Sequence, residues 1–216
     1  MKNLLIWGAT GQSIVLNDFL SEQGYLLVAL YDRNPEIETP FSDVKLFKEE
    51  QSLYKYLEQF DNIHYVVAIG GGNGKDRLLL HDQLKLKGYT PIQCLHPNAI
   101  VSKSAVIGEG CQILMNAAVA ARVTLGKSVI INTAASVDHE CTIADGCHIA
   151  PGVHLAGNIT VGKNTFIGVG ASICPNVKIG ENVTIGAGSV VVSDIIDNVV
   201  AYGVPAKVQK RKLINS

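Results

Sequence analysis

A small α/β domain followed by a parallel β-helix is the fold class this sequence predicts, on three observations. The first is a run of sixteen aliphatic residues at a strict spacing of six: Val101, Ile107, Ile113, Val119, Leu125, Ile131, Val137, Ile143, Ile149, Leu155, Val161, Ile167, Ile173, Ile179, Ile185 and Val191. No insertion breaks the count over ninety residues. The second is that the residue four places after each is small or β-branched, from Ala105 and Cys111 through to Val183 and Ser189. Neither a helix nor a flat strand has this period, whereas a short fixed repeat marks a solenoid and a hexad marks a β-helix. The third is that residues 1–95 alternate between strand-like and helix-like segments, as a small parallel sheet requires.

In the first part, Asn3 to Trp7 reads as an apolar strand ending at Gly8. The loop Gly8-Ala9-Thr10-Gly11-Gln12 leads into a helix in which Ile14, Val15, Phe19 and Leu20 recur at helical spacing, with Gly24 as its stop. Tyr25 to Tyr31 is a second strand and Tyr65 to Ile69 a third. Residues 48–60 and 75–87 read as helices, and a short strand near Ile92 to Leu95 leads to His96-Pro97, where the hexads begin. The expected organisation is residues 1–95 as a Rossmann-like domain, 96–198 as the β-helix and 199–216 as a tail, with a helical period reappearing only after Pro205.

Eighteen residues make one triangular coil of three hexads. Stacking by eighteen puts Ile113, Ile131, Ile149, Ile167 and Ile185 in one column, with a second column from Ile107 to Ile179 and a third from Val101 to Val191. Gly108, Gly126, Gly162 and Gly180 share a corner, where a missing Cβ is expected to ease a tight turn. The open ends of such a prism need covering, and the segment from Val199 onward is expected to cover one of them. Three flat outer faces suit a closed ring with three-fold symmetry.

Composition narrows the function. Apolar residues make up 47% and charged residues 17% of the 216, and the formal net charge is -1, so no basic footprint for nucleic acid exists. The apolar run Leu4 to Trp7 is too short for a signal sequence or a membrane span, and a cytoplasmic protein is expected. Of five cysteines, Cys111, Cys141 and Cys147 fall on the inward small position and read as buried, reduced thiols. With no CxxC pair, neither a zinc site nor a disulfide framework is expected, and no metal.

Hexads ending in Tyr202-Gly203-Val204-Pro205-Ala206-Lys207 resemble the left-handed β-helix acyltransferases. The order of parts is more telling. A Gly-Ala-Thr-Gly loop, then Ala68-Ile69-Gly70, then an uninterrupted hexad helix with Asn132-Thr133 and Asp138-His139-Glu140, is similar to the bacterial sugar acetyltransferases. That group includes the UDP-4-amino-sugar N-acetyltransferases and the sialic acid O-acetyltransferases. The resemblance implies a left-handed coil, a homotrimer, acetyl-CoA in the groove between two β-helices, and a UDP-sugar held by the N-terminal domain. The expected activity is N-acetylation of a UDP-linked 4-amino-sugar by direct attack of the amine on the thioester. O-acetylation of sialic acid or another sugar is the alternative.

Such a transfer needs a base, an oxyanion donor and two substrates held together. His139 is the expected base: it stands near a coil corner, and the matching position one coil on is Gly157, which leaves room for a thioester and a free N–H. An imidazole titrates near neutrality. The resemblance gives Glu140 the role of holding its other nitrogen, places His148 near the thioester, and gives Gly157, Val169 and Ala187 backbone contacts to the cofactor. Lys207, Lys210, Arg211 and Lys212 are candidates for its phosphates, and His154 for the surface or a subunit contact. In the first domain, Thr10, Gly11 and Gln12 at a helix start suit a diphosphate. Asp32 follows the second strand, where an acid meets a ribose or a base edge. Family members bind uridine with the loop equivalent to Asp32-Arg33, some with an acid in place of Arg33, and often carry His in place of Gln12. Gly70 matches a substrate contact. Gly70 to Lys75 looks like a P-loop but has Ile69 and Asp76 at two of its essential positions, which rejects ATP.

Two other classes fare worse. A γ-type carbonic anhydrase needs two zinc histidines five apart, whereas His148 and His154 are six apart and His139 and His148 nine. An ice-binding face needs broad ranks of Thr, and Thr124, Thr142 and Thr160 form only a single file.

Overall fold

The computed structural model describes residues 1–212, and these divide into two compact units. The first comprises Met1–Ile69 and Leu79–Cys94; the second comprises Gly70–Leu78 and everything from Leu95. The segment Gly70–Leu78, which the sequence assigned to the first part, therefore groups with the hexads.

The first unit is a five-stranded sheet: β1 (Lys2–Trp7), β2 (Tyr25–Tyr31), β3 (Leu46–Phe47), β4 (His64–Val67) and β5 (Thr90–Pro91), in the order β3-β2-β1-β4-β5 and parallel throughout. Leu4, Leu5 and Ile6 are fully buried on both faces, as a central parallel strand demands. Helices α1 (Gly11–Glu22), α2 (Glu50–Leu57) and α3 (Gly74–Leu86) fall where helices are expected, while the two-residue β3 gives too short a pattern to be read from sequence. In α1 the buried stripe is Ser13, Leu16, Phe19 and Leu20, whereas Ile14 and Val15 are exposed. The expected apolar face was thus rotated, because the small Ser13 and not Ile14 meets the sheet. Gly8 has a positive φ of 108°, and a Cβ there would stand 2.6 Å from the Ala68 carbonyl oxygen.

In the second unit, three parallel sheets wrap one core. The first face carries the inward residues Val101 to Val191, the second Ile107 to Ile179, and the third Ile113 to Ile185. Strand N–H groups reach a carbonyl seventeen residues ahead, as from Ile130 to Cys147 at 3.0 Å and from Thr142 to Ile159 at 2.8 Å. All three expected columns are present in register, as in Ile131 opposite Ile149 and Val119 opposite Val137.

The turn lies elsewhere than the glycine column suggested. Three residues after each inward aliphatic, fourteen successive corner residues from Gly110 to Gly188 have φ between 52° and 70°. Ten of the fourteen are Gly or Asn, the residues that enter this region at least cost. Gly108, Gly126, Gly162 and Gly180 do not have positive φ. They are glycine because the next coil approaches too closely: a Cβ on Gly108 would collide with the Gly126 carbonyl, and one on Gly162 would stand 2.5 Å from the Glu181 nitrogen.

The inward thiols are buried and unbridged. Burial pushes the Cys111 and Cys147 thiols up to about 12, so both stay protonated and donate to Gly126 and Gly162 carbonyls at 3.0 Å. One coil beyond Cys147, Thr165 does the same with its hydroxyl to Gly180 at 2.8 Å.

Beyond the last hexads, Val199–Gly203 pairs in parallel with Thr184–Ile185 and closes a hairpin with Ala206–Arg211. The helical period expected after Pro205 is thus a strand through Arg211; residues 213–216 of the expected tail lie outside the described residues.

Gly108→Ala is expected to cost about 1–3 kcal/mol by overpacking. Ala134→Gly, at a corner with φ of 55°, is expected to be neutral or stabilising by up to about 1 kcal/mol. Urea denaturation of both variants checks the pair; a Gly108→Ala protein as stable as the parent would mean the coils part freely at that corner.

Candidate active site

His139 sits on the corner that leads from the first face to the second. Its Nδ1 lies 3.3 Å from Glu140 Oε2, and its backbone N–H donates to Asp138 Oδ1 at 2.7 Å. Its ring lies against Gly157, where a Cβ would stand 2.5 Å from Cε1 and Nε2. Any side chain at residue 157 would displace the imidazole. With Glu140 on Nδ1, the proton sits there and the Nε2 lone pair is free, since no partner for Nε2 exists among the described residues. The Gly157 N–H donates no hydrogen bond within the described residues either. An imidazole nitrogen and a buried N–H donor with no partner among the described residues thus stand side by side.

Val169 and Ala187 are stacked one coil apart on the corner that leads from the third face to the first. Both are exposed, and among the described residues neither N–H has a partner. In the same column the Thr133 N–H is taken by Asn132 Oδ1 at 2.8 Å, and Pro151 has none to offer. The first face between these two corners holds a groove of about 440 Å³, lined by Ala118, Ala120, Ser136, Asp138, His154 and Ala156. Small side chains leave that space open. His154 is exposed on this face and shares a 2.8 Å hydrogen bond with Ser136.

His148 lies on the third face, opposite the corner of His139, so one chain does not bring these two histidines together. It is buried, with Asn132 Nδ2 at 3.0 Å from its Nε2. Because the Asn132 oxygen is committed to Thr133, the amide group faces His148 and donates; Nε2 accepts and Nδ1 carries the hydrogen. That Nδ1 has no well-aligned partner, although the Gly71 carbonyl lies on its side and favours the charged ring. Burial first, and the Arg77 charge second, outweigh this and bring the His148 pKa down to about 4. Gly70 lies beside the ring, where a Cβ would stand 3.5 Å from Cε1.

Arg77, on the first turn of α3, is fully buried. It donates to the carbonyls of Ser128 at 2.9 Å, Gly146 at 2.6 Å and Cys147 at 3.2 Å, and burial lowers its pKa to about 10. It ties the Gly70–Leu78 segment to two coils and to the peptide that precedes His148. Sequence reasoning missed Arg77 because a contact from a helix to a coil follows no period. Asn132 was legible only as part of a motif. It stands sixteen residues before His148, next door on the adjoining coil.

In the first unit, Thr10 precedes α1 and its carbonyl accepts from Ser13 at 2.9 Å, leaving Gly11 and Gln12 on the first turn. Asp32 has a backbone partner on each oxygen, the Ala9 N–H at 3.1 Å and the Asn34 N–H at 3.0 Å. It therefore shapes the Gly8–Gln12 loop. Arg33 is exposed, and its charge reaches the Tyr31 hydroxyl. Of the basic residues near the C-terminus, Lys207, Lys210 and Arg211 are exposed; Lys212 is half-buried, and burial followed by the nearby Lys75 lowers its pKa. No group of side chains suited to a metal ion occurs among the described residues, and no helix there is long and apolar enough to cross a membrane.

Comparisons with known proteins agree with this geometry. Residues 158–193 match the bacterial transferase hexapeptide (six repeats) family. The chain is similar to perosamine N-acetyltransferase from Caulobacter crescentus, solved as a histidine variant with CoA and GDP-perosamine: identity is 34%, coverage 97% of this chain and 98% of that one, and TM-score 0.89. It is also similar to the acetyltransferase domain of PglB from Neisseria gonorrhoeae, at 32% identity, 97% and 100% coverage, and TM-score 0.85. WeeI from Acinetobacter baumannii shares the fold at 22% identity and TM-score 0.85 over 97% of this chain and 100% of that one. The chain belongs to the left-handed β-helix, hexapeptide-repeat sugar acetyltransferases. It is an acetyltransferase.

Because the folded pKa of His148 lies below its ordinary 6.5, protonation favours the unfolded chain. Stability present above about pH 6.5 is lost as pH falls toward 4, by about 3 kcal/mol in all. His148→Gln is expected to flatten that part of the stability profile. Denaturation at pH 7 and pH 4 in both proteins measures it; equal losses in the two would exclude His148 as the source.

Proposed function

We propose that the protein transfers an acetyl group from acetyl-CoA to the amine of a UDP-linked 4-amino-sugar in bacterial glycan synthesis, with His139 as general base. The observation that carries this reading is the free His139 Nε2 lying over Gly157 with its other nitrogen on Glu140. In the reaction the amine nitrogen attacks the thioester carbonyl and a C–N bond forms. Nε2 takes the amine proton and the Gly157 N–H faces the developing oxyanion. The C–S bond then breaks, and the proton passes from the imidazolium to the departing thiolate. No covalent enzyme intermediate is needed when both substrates are bound.

Acetyl-CoA suits the residues present. The free N–H groups of Val169 and Ala187 at one edge of the first face, and of Gly157 at the other, are donors for an amide-rich chain. Lys207, Lys210, Arg211 and Lys212 are assigned to its phosphates. His148, with a buried Nδ1–H and no well-aligned acceptor, suits an oxygen of a bound ligand. Since His139 and His148 occupy a corner and the face opposite, one acetyl group meets both only where two copies adjoin, which supports the expected homotrimer with acetyl-CoA between β-helices. The 3-2-1-4-5 order of the parallel sheet supports a Rossmann-like reading of the first unit, since ligands of such sheets bind beyond the carboxyl ends of the strands where the order reverses. There the Thr10, Gly11 and Gln12 turn is assigned to the diphosphate, and Asp32 and Arg33 to the nucleoside. In the second unit, Gly70 is assigned to the sugar. Both substrates are cytoplasmic metabolites, which supports a cytoplasmic location.

A second reading, a GDP-linked amino-sugar, is favoured by the likeness to the enzyme solved with GDP-perosamine. Incubation with acetyl-CoA and either UDP- or GDP-linked 4-amino-4,6-dideoxy sugar, with free thiol followed, separates the two. Turnover of the UDP sugar is expected; turnover of the GDP sugar alone would replace the nucleotide, and turnover of sialic acid alone would make the reaction O-acetylation. His139→Ala is expected to lower kcat by about 10²–10⁴-fold. Full activity in that variant would remove His139 from the chemistry.

A further inference from the structure

We propose that Arg122 is a positioning residue for the His139–Glu140 pair, an assignment that rests on His139 being the base. Arg122 stands one coil before Glu140 on the same corner. Its Nη1 lies 3.3 Å from Glu140 Oε1, and Glu140 Oε2 lies 3.3 Å from His139 Nδ1. Each carboxylate oxygen therefore has its own partner. A carboxylate held only by a histidine turns about its last torsion; one held at both oxygens presents a fixed acceptor to Nδ1. That keeps the hydrogen on Nδ1 and the lone pair on Nε2, over Gly157.

The backbone supplies an independent observation. Of the fourteen left-handed corners, only Arg122, Ser128, Ala134 and Glu140 are neither Gly nor Asn. Arg122 and Glu140 are consecutive in one column, followed there by Asn158 and Asn176. Long side chains thus occupy a conformation that favours Gly and Asn at the two places where they pair with each other.

Apart from His139, Glu140 has the Arg122 contact on its other oxygen. Without Arg122 the carboxylate is held at one oxygen only, and Nδ1 loses a fixed acceptor. Arg122 is exposed, so its replacement leaves the core intact.

The test is kcat and KM measured separately for Arg122→Gln and Arg122→Lys, with His139→Ala assayed alongside and thermal melts confirming the fold. Arg122→Gln is expected to lower kcat about two- to fivefold, as loss of one exposed ion pair allows, with KM for acetyl-CoA unchanged. Arg122→Lys is expected to restore kcat. A raised KM with kcat unchanged, or no change in either, would overturn the assignment. If His139→Ala is inactive while Arg122→Gln keeps the parental kcat, only the role of Arg122 falls. If His139→Ala keeps full activity, the base assignment falls and this one with it.

Discussion

One residue in six is held in left-handed backbone, and the second unit depends on that turn. The turning residue sends its N–H back to a carbonyl nineteen residues earlier, as Asn164 does to Asp145 at 3.0 Å and Asn182 to Lys163 at 2.8 Å. The strands send theirs seventeen residues forward. The two sets interlock, so that each coil is fixed to its neighbours at the corners as well as along the faces. Inward aliphatics fill the prism only because every corner turns by the same amount. Where the corner needs space as well as a turn, the Gly108 column removes the Cβ.

The same corners carry the groups to which the chemistry is assigned. A residue just before the turn points its N–H outward, away from both ladders. Most proteins bury or cap such groups. Here Asn132 caps the one at Thr133, while those of Gly157, Val169 and Ala187 have no partner among the described residues. His139 occupies the matching place one coil before Gly157, so a side chain and a main-chain donor become neighbours without any loop. The rest is second-order arrangement: Glu140 on Nδ1, Asn132 on His148, and Arg77 behind them, spanning two coils from the first turn of α3.

Most of this was legible because the hexad is periodic. Columns, inward thiols and the pairing of His139 with Gly157 all follow from adding eighteen. The glycine column was visible, but its cause was not, since a sequence does not say whether a glycine answers a torsion or a collision. The orientation of α1 was misjudged because Ser13, a small polar residue, fills the buried stripe in place of Ile14. The last strand was hidden because Ala206–Arg211 alternates too weakly between polar and apolar to announce itself. Arg77 and the Asn132–His148 hydrogen bond arise from contacts whose spacing has no repeat.

The closing hairpin does more than extend a sheet. A stack of identical parallel coils has no intrinsic length, and its final edge would template another coil from any chain that offered one. Val199–Gly203 still runs parallel, but Ala206–Arg211 reverses direction and presents Lys207, Lys210 and Arg211 to solvent. An antiparallel, positively charged edge does not match the next parallel layer, and like charges oppose end-to-end joining. The hairpin caps this edge of the coil stack and keeps a fibre-forming architecture from propagating along it.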